Sequence, residues 1–396
     1  MKPEKKISIM LADKELCTGC AACVSVCPTG SISMKEDREG FLQPYIDTKT
    51  CIGCHKCEKT CPILNSIEIP TNFETQAYAA INKDEDVRMR SSSGGIFHAL
   101  AKWTIGQGGV VFGARFNENW EVVHDYTETI EGVEPFMRSK YVQSCIGNTF
   151  KQAKQFLDAG RQVLFVGTPC QIGGLKAYLH NDYDNLLAVD LICHGVPSPG
   201  VWREYLIQKV RGDKVLSVNF RDKQEGWKDF QCVTTTTTTT TREKQMENVY
   251  FRGFLKNIYL RHSCYQCTFK TVRRCADLTM ADFWGVQDIC PHMDDNKGTS
   301  LVICHSERGY KILKSCSLIF SMLSSSIKEA IPYNISMISS MTMPRNRRKF
   351  FRIFAMTHSF RFAFKFVDND GIIRQVIKKL KKNLKYGRWE IKRKSE

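Results

Sequence analysis

The sequence contains no uninterrupted apolar run of about eighteen residues, so a membrane-spanning helix is not expected. It has no Walker loop, no G-x-G-x-x-G and no Ser-His-Asp order, which leaves group-transfer chemistry with little support. Acidic residues are the minority, 41 Asp and Glu against 57 Lys and Arg, for a formal charge of +16. That excess is local. Residues 345–396 hold seventeen Lys and Arg against Asp368, Asp370, Glu390 and Glu396, so this tail carries +13 of the total. The remainder is nearly neutral, and nucleic-acid binding is not expected of it. The first sixteen residues are charged, with a short apolar stretch at 7–12 interrupted by Asp13, which does not read as a signal peptide. Cysteine, by contrast, is abundant: eighteen residues in 396. Without a leader, that usage predicts a reducing, cytoplasmic setting, and the length allows two or three domains.

Eight of the cysteines fall in two runs of one spacing, C-x2-C-x2-C-x3-C-P. They are Cys17-Thr-Gly-Cys20-Ala-Ala-Cys23-Val-Ser-Val-Cys27-Pro28 and Cys51-Ile-Gly-Cys54-His-Lys-Cys57-Glu-Lys-Thr-Cys61-Pro62. In this pattern three cysteines of a run wrap one 4Fe-4S cluster and the fourth crosses to the other. Cluster one is then expected on Cys17, Cys20, Cys23 and Cys61, and cluster two on Cys51, Cys54, Cys57 and Cys27. Zinc ribbons or a disulfide mesh are the alternative, but four-ligand zinc sites have no use for the repeated Cys-Pro. Residues 31–45 read as two short strands about a polar turn. About the first sixty-five residues thus resemble the bacterial two-cluster ferredoxins.

Residues 62–75 read as a linker, and beyond them strands and amphipathic helices alternate. Strands are expected at 109–116, 162–166 and 186–193, with helices at 150–159, 172–179 and 201–210; this is a βαβ pattern with an at least partly parallel sheet. The eight threonines 234–241 predict one exposed or edge strand. Past residue 300 the expectation is a mixed helical segment followed by the basic tail. Phe350, Phe354, Phe360 and Phe366 alternate there with cations, and 372–384 reads as a basic amphipathic helix. The tail packs on the body by its aromatic face, offers a peripheral membrane contact, or docks an acidic redox partner.

A second set of cysteines ends the apolar segments. Cys170 follows Val163-Leu-Phe-Val166-Gly-Thr-Pro, Cys193 follows Leu187-Ala-Val-Asp-Leu-Ile192, and Cys264-Tyr-Gln-Cys267 comes from a separate loop. The carboxyl ends of parallel strands share one edge, so Cys170 and Cys193 are expected to face one crevice, with Cys264 and Cys267 completing four thiolates. Arg261, Lys270, Arg273 and Arg274 would supply positive charge, and Cys275 is a reserve ligand. The set reads as a third 4Fe-4S centre or, alternatively, as two buried thiols beside a zinc or redox pair. Cys145, Cys232, Cys290, Cys304 and Cys316 read as core or surface thiols.

Arg90-Ser-Ser-Ser-Gly-Gly95-Ile-Phe, Arg138-Ser-Lys-Tyr141-Val-Gln-Ser, Val163-Leu-Phe-Val-Gly-Thr-Pro-Cys170-Gln, Asp190-Leu-Ile-Cys-His-Gly195 and Ala276-Asp-Leu-Thr-Met-Ala-Asp-Phe-Trp-Gly285 strongly resemble the coenzyme F(420) hydrogenase/dehydrogenase beta-subunit family. The resemblance spans about residues 76–310. It implies a flavin-containing electron-transfer module with its own 4Fe-4S cluster, here behind a two-cluster ferredoxin; it does not imply the deazaflavin itself.

The Ser91-Ser92-Ser93-Gly94-Gly95 turn before a helix suits FAD or another flavin at its pyrophosphate, or is only an N-cap. Lys140 pairs with a phosphate or reduced flavin, or is a solvated lysine; His194 relays a proton, or is a satisfied core histidine. Asp282 bonds a flavin ribityl or ring nitrogen, or is a turn carboxylate. The expected fold class is α+β. It has a ferredoxin-type 2x 4Fe-4S domain over 8–66, an α/β domain with a mixed, partly parallel sheet over 76–330 and a basic helical tail over 331–396. The expected function is an iron–sulfur flavoprotein oxidoreductase coupling a small hydride carrier to a ferredoxin-type or protein redox partner. The alternative is a non-catalytic electron-transfer subunit relaying between proteins.

Overall fold

The structure, a computed structural model, describes residues 9–69 and 72–368. The two cysteine runs repeat in backbone as well as in sequence. Gly19 (φ 70°) and Ala21 (φ 60°) lead into α1 (Ala22–Val26), and Gly53 (φ 69°) and His55 (φ 56°) lead into α2 (Lys56–Lys59). Each run closes on the same turn, with Cys27 N–H donating to Val24 O at 3.3 Å and Cys61 N–H to Glu58 O at 3.1 Å. Between them β1 (Ile32–Glu36) pairs antiparallel with β2 (Leu42–Ile46), as the polar turn predicts.

The body adds β3 (Gln76–Asn82), β4 (Val110–Phe116), β5 (Val122–Thr127), β6 (Val163–Gly167), β7 (Leu186–Leu191), β8 (Val215–Asp222) and β9 (Gln231–Thr236). The remaining strands are β10 (Thr240–Lys244), β11 (Leu278–Asp282), β12 (Ser300–Cys304) and β13 (Phe320–Ser325). Eight of these form one sheet in the order β13-β3-β12-β11-β7-β6-β4-β5. Its centre, β11-β7-β6-β4, is parallel, and the outer pairs on both sides are antiparallel, so the sheet is mixed. β6 and most of β7 are buried on both faces, which is why each reads as a continuous apolar run.

Alternate residues of those strands serve opposite layers. Val163, Phe165, Leu186 and Ala188 pack under α5 (Thr149–Asp158) and α6 (Pro169–Leu179), together with Cys20, Ala21 and Ala22 at the start of α1. Leu164, Val166, Leu187 and Val189 face the other way, toward Ile96, Ala99 and Leu100. The ferredoxin-like unit is therefore part of one layer of the body. The third core is aromatic, and it buries Phe350, Phe351, Phe354, Phe360 and Phe364 against Trp202, Tyr205, Tyr250 and Tyr259. The aromatics of the tail up to residue 368 thus pack inward, apart from the exposed Phe362 and Phe366. The 372–384 helix lies outside the described residues.

Two expectations are corrected. The threonine run is not one strand. Thr234–Thr236 close β9, Thr236 N–H donates to Thr239 O at 2.8 Å, and Thr240 and Thr241 return in β10 opposite Thr235 and Thr234. A uniform polar β-branched run carries no turn residue, so sequence alone cannot mark the reversal. The region past 300 is not only helical, because β12 and β13 flank β3 at the edge of the main sheet. No helix among the described residues is long and apolar enough to cross a membrane.

Candidate functional site

Cys17, Cys20, Cys23 and Cys61 line one cavity with Thr18, Gly19, Met34 and Pro62, with about 400 Å³ free of protein atoms, open solvent included. The fourth thiol comes from the opposite run, as the crossing pattern requires. Burial and the neighbouring thiols push Cys20 up to about 11 and Cys23 higher still. These two thiols stay protonated until a metal supplies the compensating charge. The second run repeats that backbone, with Cys57 buried and Cys54 exposed.

A second cavity, with about 450 Å³ free of protein atoms, is lined by Cys170, Cys193, Cys264 and Cys267. Cys170 lies in the first turn of α6, held by the Thr168–Gln171 capping box and Pro169. Cys193 lies just past the end of the parallel neighbour β7, and Cys264 sits in the 3-10 turn His262–Gln266 that ends next to Cys267. Two adjacent strand ends and one loop thus turn four thiols onto one space at the carboxyl edge of the sheet. Burial pushes Cys264 up to about 12 and raises Cys170 and Cys193 as well. Arg261, Lys270 and Arg274 line the same cavity. Arg273 is exposed instead, and Cys275 packs behind the sheet beside the α5–α6 layer rather than on the cavity.

The donor sets fit iron–sulfur cages. Each cavity is lined by four thiols, the donor number and type that a 4Fe-4S cage takes. The polar surroundings fit as well. Val196 N–H donates to Cys264 Sγ at 3.4 Å, and Lys270 Nζ donates to the Cys193 carbonyl at 2.6 Å.

Ser92 and Asp282 meet through Arg221, whose Nη2 reaches Ser92 O at 3.5 Å, at a second place on the sheet edge. Ser139 N–H donates to Ser92 Oγ at 2.7 Å, which ties the serine turn to the segment that carries Lys140 and Tyr141. Asp282, at the end of β11, accepts from Arg221 Nη1 at 2.7 Å and from Trp227 Nε1 at 3.2 Å. Arg221 also reaches the Tyr141 hydroxyl at 3.2 Å, and its Nε is buried without a partner. Lys140 Nζ donates to the carbonyls of Pro135 and Met137, and burial together with Arg138 pushes its ammonium down to about 7. Lys223 holds the carbonyls of Arg88, Ser93 and Lys297 and is also pushed down to about 7. Ser91, Ser93, Gly94 and Gly95 are engaged within the chain, Gly94 N–H by Ser300 Oγ at 3.0 Å.

His194 does not line the thiol cavity: its Nε2 meets Asn257 Oδ1 at 2.6 Å and its ring lies 4.8 Å from that of Phe254. Burial keeps it neutral by lowering its pKa. Arg221 and Lys223, at the end of β8 and just past it, carry no motif.

These features define an iron–sulfur electron-transfer oxidoreductase subunit. Residues 16–64 match the 4Fe-4S dicluster domain, and residues 160–318 match the C-terminal part of the coenzyme F420 hydrogenase/dehydrogenase beta subunit. The chain is thus similar to that beta subunit over its central part, with a dicluster-type segment in front. It is 24% identical over 266 residues to one of the subunits of the F(420)H(2) dehydrogenase of Methanosarcina mazei, covering 64% of this chain and 71% of that one. It is 26% identical over 323 residues to the coenzyme F420-dependent sulfite reductase of Methanocaldococcus jannaschii, covering 78% of this chain. It spans only 47% of that enzyme's length. A chain of the F420-reducing [NiFe] hydrogenase complex from Methanosarcina barkeri aligns with a TM-score of 0.45 at 15% identity, covering 68% of this chain and 93% of that one.

Proposed function

We propose that the chain is an iron–sulfur flavoprotein subunit that passes electrons among three 4Fe-4S clusters and a flavin, coupling a hydride carrier to a redox partner protein. The observation that carries this reading is the gathering of Cys170, Cys193, Cys264 and Cys267 on one cavity that shares Thr18 with the cavity of Cys17, Cys20, Cys23 and Cys61. Cluster two, on Cys51, Cys54, Cys57 and Cys27, would be the outlet, because Cys54 is exposed. Coenzyme F420 in the names of the relatives makes this deazaflavin the first carrier to test.

A bound flavin supplies the exchange between a two-electron hydride and single electrons. The residues offered to it are Ser91, Ser92, Ser93, Gly94, Gly95 and Asp282, near the unpartnered Nε of Arg221, with Lys140 on the segment tied to Ser92. Lys140 gives or takes a proton near neutrality, and Asp282 fixes Arg221 in place. His194 is assigned to bracing the Cys193 loop through Asn257. The serine turn's internal hydrogen bonds favour a second reading, a relay subunit that binds no flavin. Flavin extraction from anaerobically purified protein, with reduced F420 then added while the cluster absorbance is followed, decides between them. Bound flavin with bleaching supports the oxidoreductase. Neither, in protein with full iron, leaves the relay.

A further inference from the structure

Arg261 is 2% exposed, and every group it donates to is a carbonyl, an amide or a thiol. Its Nε donates to Cys17 O at 2.7 Å, and Nη2 approaches Cys17 Sγ at 3.7 Å and Gln43 Oε1 at 2.9 Å. Nη1 reaches Leu42 O at 3.0 Å and Gln143 Oε1 at 3.1 Å, while Gln143 Nε2 holds Thr18 O at 2.9 Å. The same side chain lines the Cys170–Cys193–Cys264–Cys267 cavity. Gly19 leaves the room: a Cβ there would stand 2.7 Å from Arg261 Nη1. Thr18, whose hydroxyl is buried, lines both cavities.

A fully buried guanidinium without a carboxylate is costly unless another negative charge compensates it. The anionic neighbours within reach are the two thiolate cages on either side. We infer that Arg261 is a positioning residue held between cluster one and the third cluster, raising the reduction potential of both and keeping their thiolates at a fixed separation across Thr18. This rests on the three-cluster reading above. The physical reason is direct: a fixed positive charge stabilises the more negative, reduced state of each neighbouring cage, and it attracts both cages through one rigid planar fork. The cation lies between the first and third sites, so the second ferredoxin cluster feels it least.

The test is a potentiometric titration of the full-length, anaerobically purified protein, followed by electron paramagnetic resonance, with iron counted on each sample. Wild type is compared with Arg261→Gln and Arg261→Lys, and a Cys264→Ser variant identifies the third cluster's signal. With full iron, Arg261→Gln is expected to move the midpoints of cluster one and the third cluster to more negative values and leave cluster two in place. Arg261→Lys, which keeps the charge, is expected to stay near wild type. Unmoved midpoints in Arg261→Gln, equal shifts of all three signals, or an equal shift in Arg261→Lys would each overturn the assignment. If Arg261→Gln loses iron, the lysine variant decides alone: midpoints near wild type support a role for the charge, displaced midpoints refute it. A wild type with about eight irons and no third signal overturns the three-cluster reading itself, a distinct outcome.

Discussion

Gly174 lies in α6 where that helix meets the first cysteine run, and a Cβ there would stand 2.9 Å from Cys20 Cβ and 3.0 Å from Cys20 Sγ. Gly174→Ala is therefore predicted to displace a cluster-one ligand and lose about four irons per chain, the content of one 4Fe-4S cage, with the remaining signals kept. Iron analysis beside paramagnetic resonance reads this directly. Two buried histidines set an acid limit. Burial lowers His124 to about 4 and His305 to about 3. Because the folded state binds fewer protons than the unfolded chain (pKa ~6.5), stability falls as pH drops below ~6.5, by about 1.4 kcal/mol per histidine at pH 5.5. Thermal unfolding at pH 7.5 and 5.5 should show the loss, and His305→Gln should flatten it; an equal slope in both proteins would contradict the argument. The cysteines were legible at this scale because a spacing is a local signal. Arg261 was legible only as one cation in a basic loop, since Cys17, its partner, lies 244 residues away in sequence.

At the scale of elements, the third thiol site depends on three separate pieces: the first turn of α6, the end of β7 and the turn His262–Gln266. Cys267→Ser should remove that site's iron and leave the ferredoxin-like runs loaded, because no residue of theirs is a ligand there. Loss of all iron would instead show that the two sites fold as one. Arg347 gives the tail helix Arg347–Thr357 its anchor, a two-pronged contact with Glu39 at 3.0 and 2.5 Å plus the carbonyl of Leu260. The guanidinium is nearly fully buried while Glu39 is partly exposed, so Arg347→Ala is expected to cost about 2 kcal/mol, below the range for a fully buried pair. Denaturant unfolding would measure it. The strands at the sheet centre were readable from continuous apolar runs ending in Cys170 and Cys193. The edge strands β12 and β13 were not, because nothing local to 300–325 reveals that β3, more than 200 residues earlier, takes them as partners.

For the whole molecule, the ferredoxin-like unit is held to the body on several sides. Gly200 N–H donates to Gly40 O at 3.1 Å, Ser198 Oγ to Glu39 O at 2.6 Å, and Thr60 Oγ1 meets His180 Nε2 at 3.3 Å. Arg203 pairs with Glu36, and Arg261 binds Leu42 O. A protease site engineered between residues 66 and 76 should therefore give two fragments that stay together in size-exclusion chromatography. Separation on cleavage would mean that the two parts are tethered rather than packed. The docking was not legible in the sequence, since its contacts join residues distant in the chain. The central claim is that one chain carries three cages in contact through Thr18 and Arg261. Iron and acid-labile sulfide per chain, measured on anaerobically purified full-length protein, test it most directly. The account predicts about twelve of each, and about eight irons with a bound zinc would contradict it.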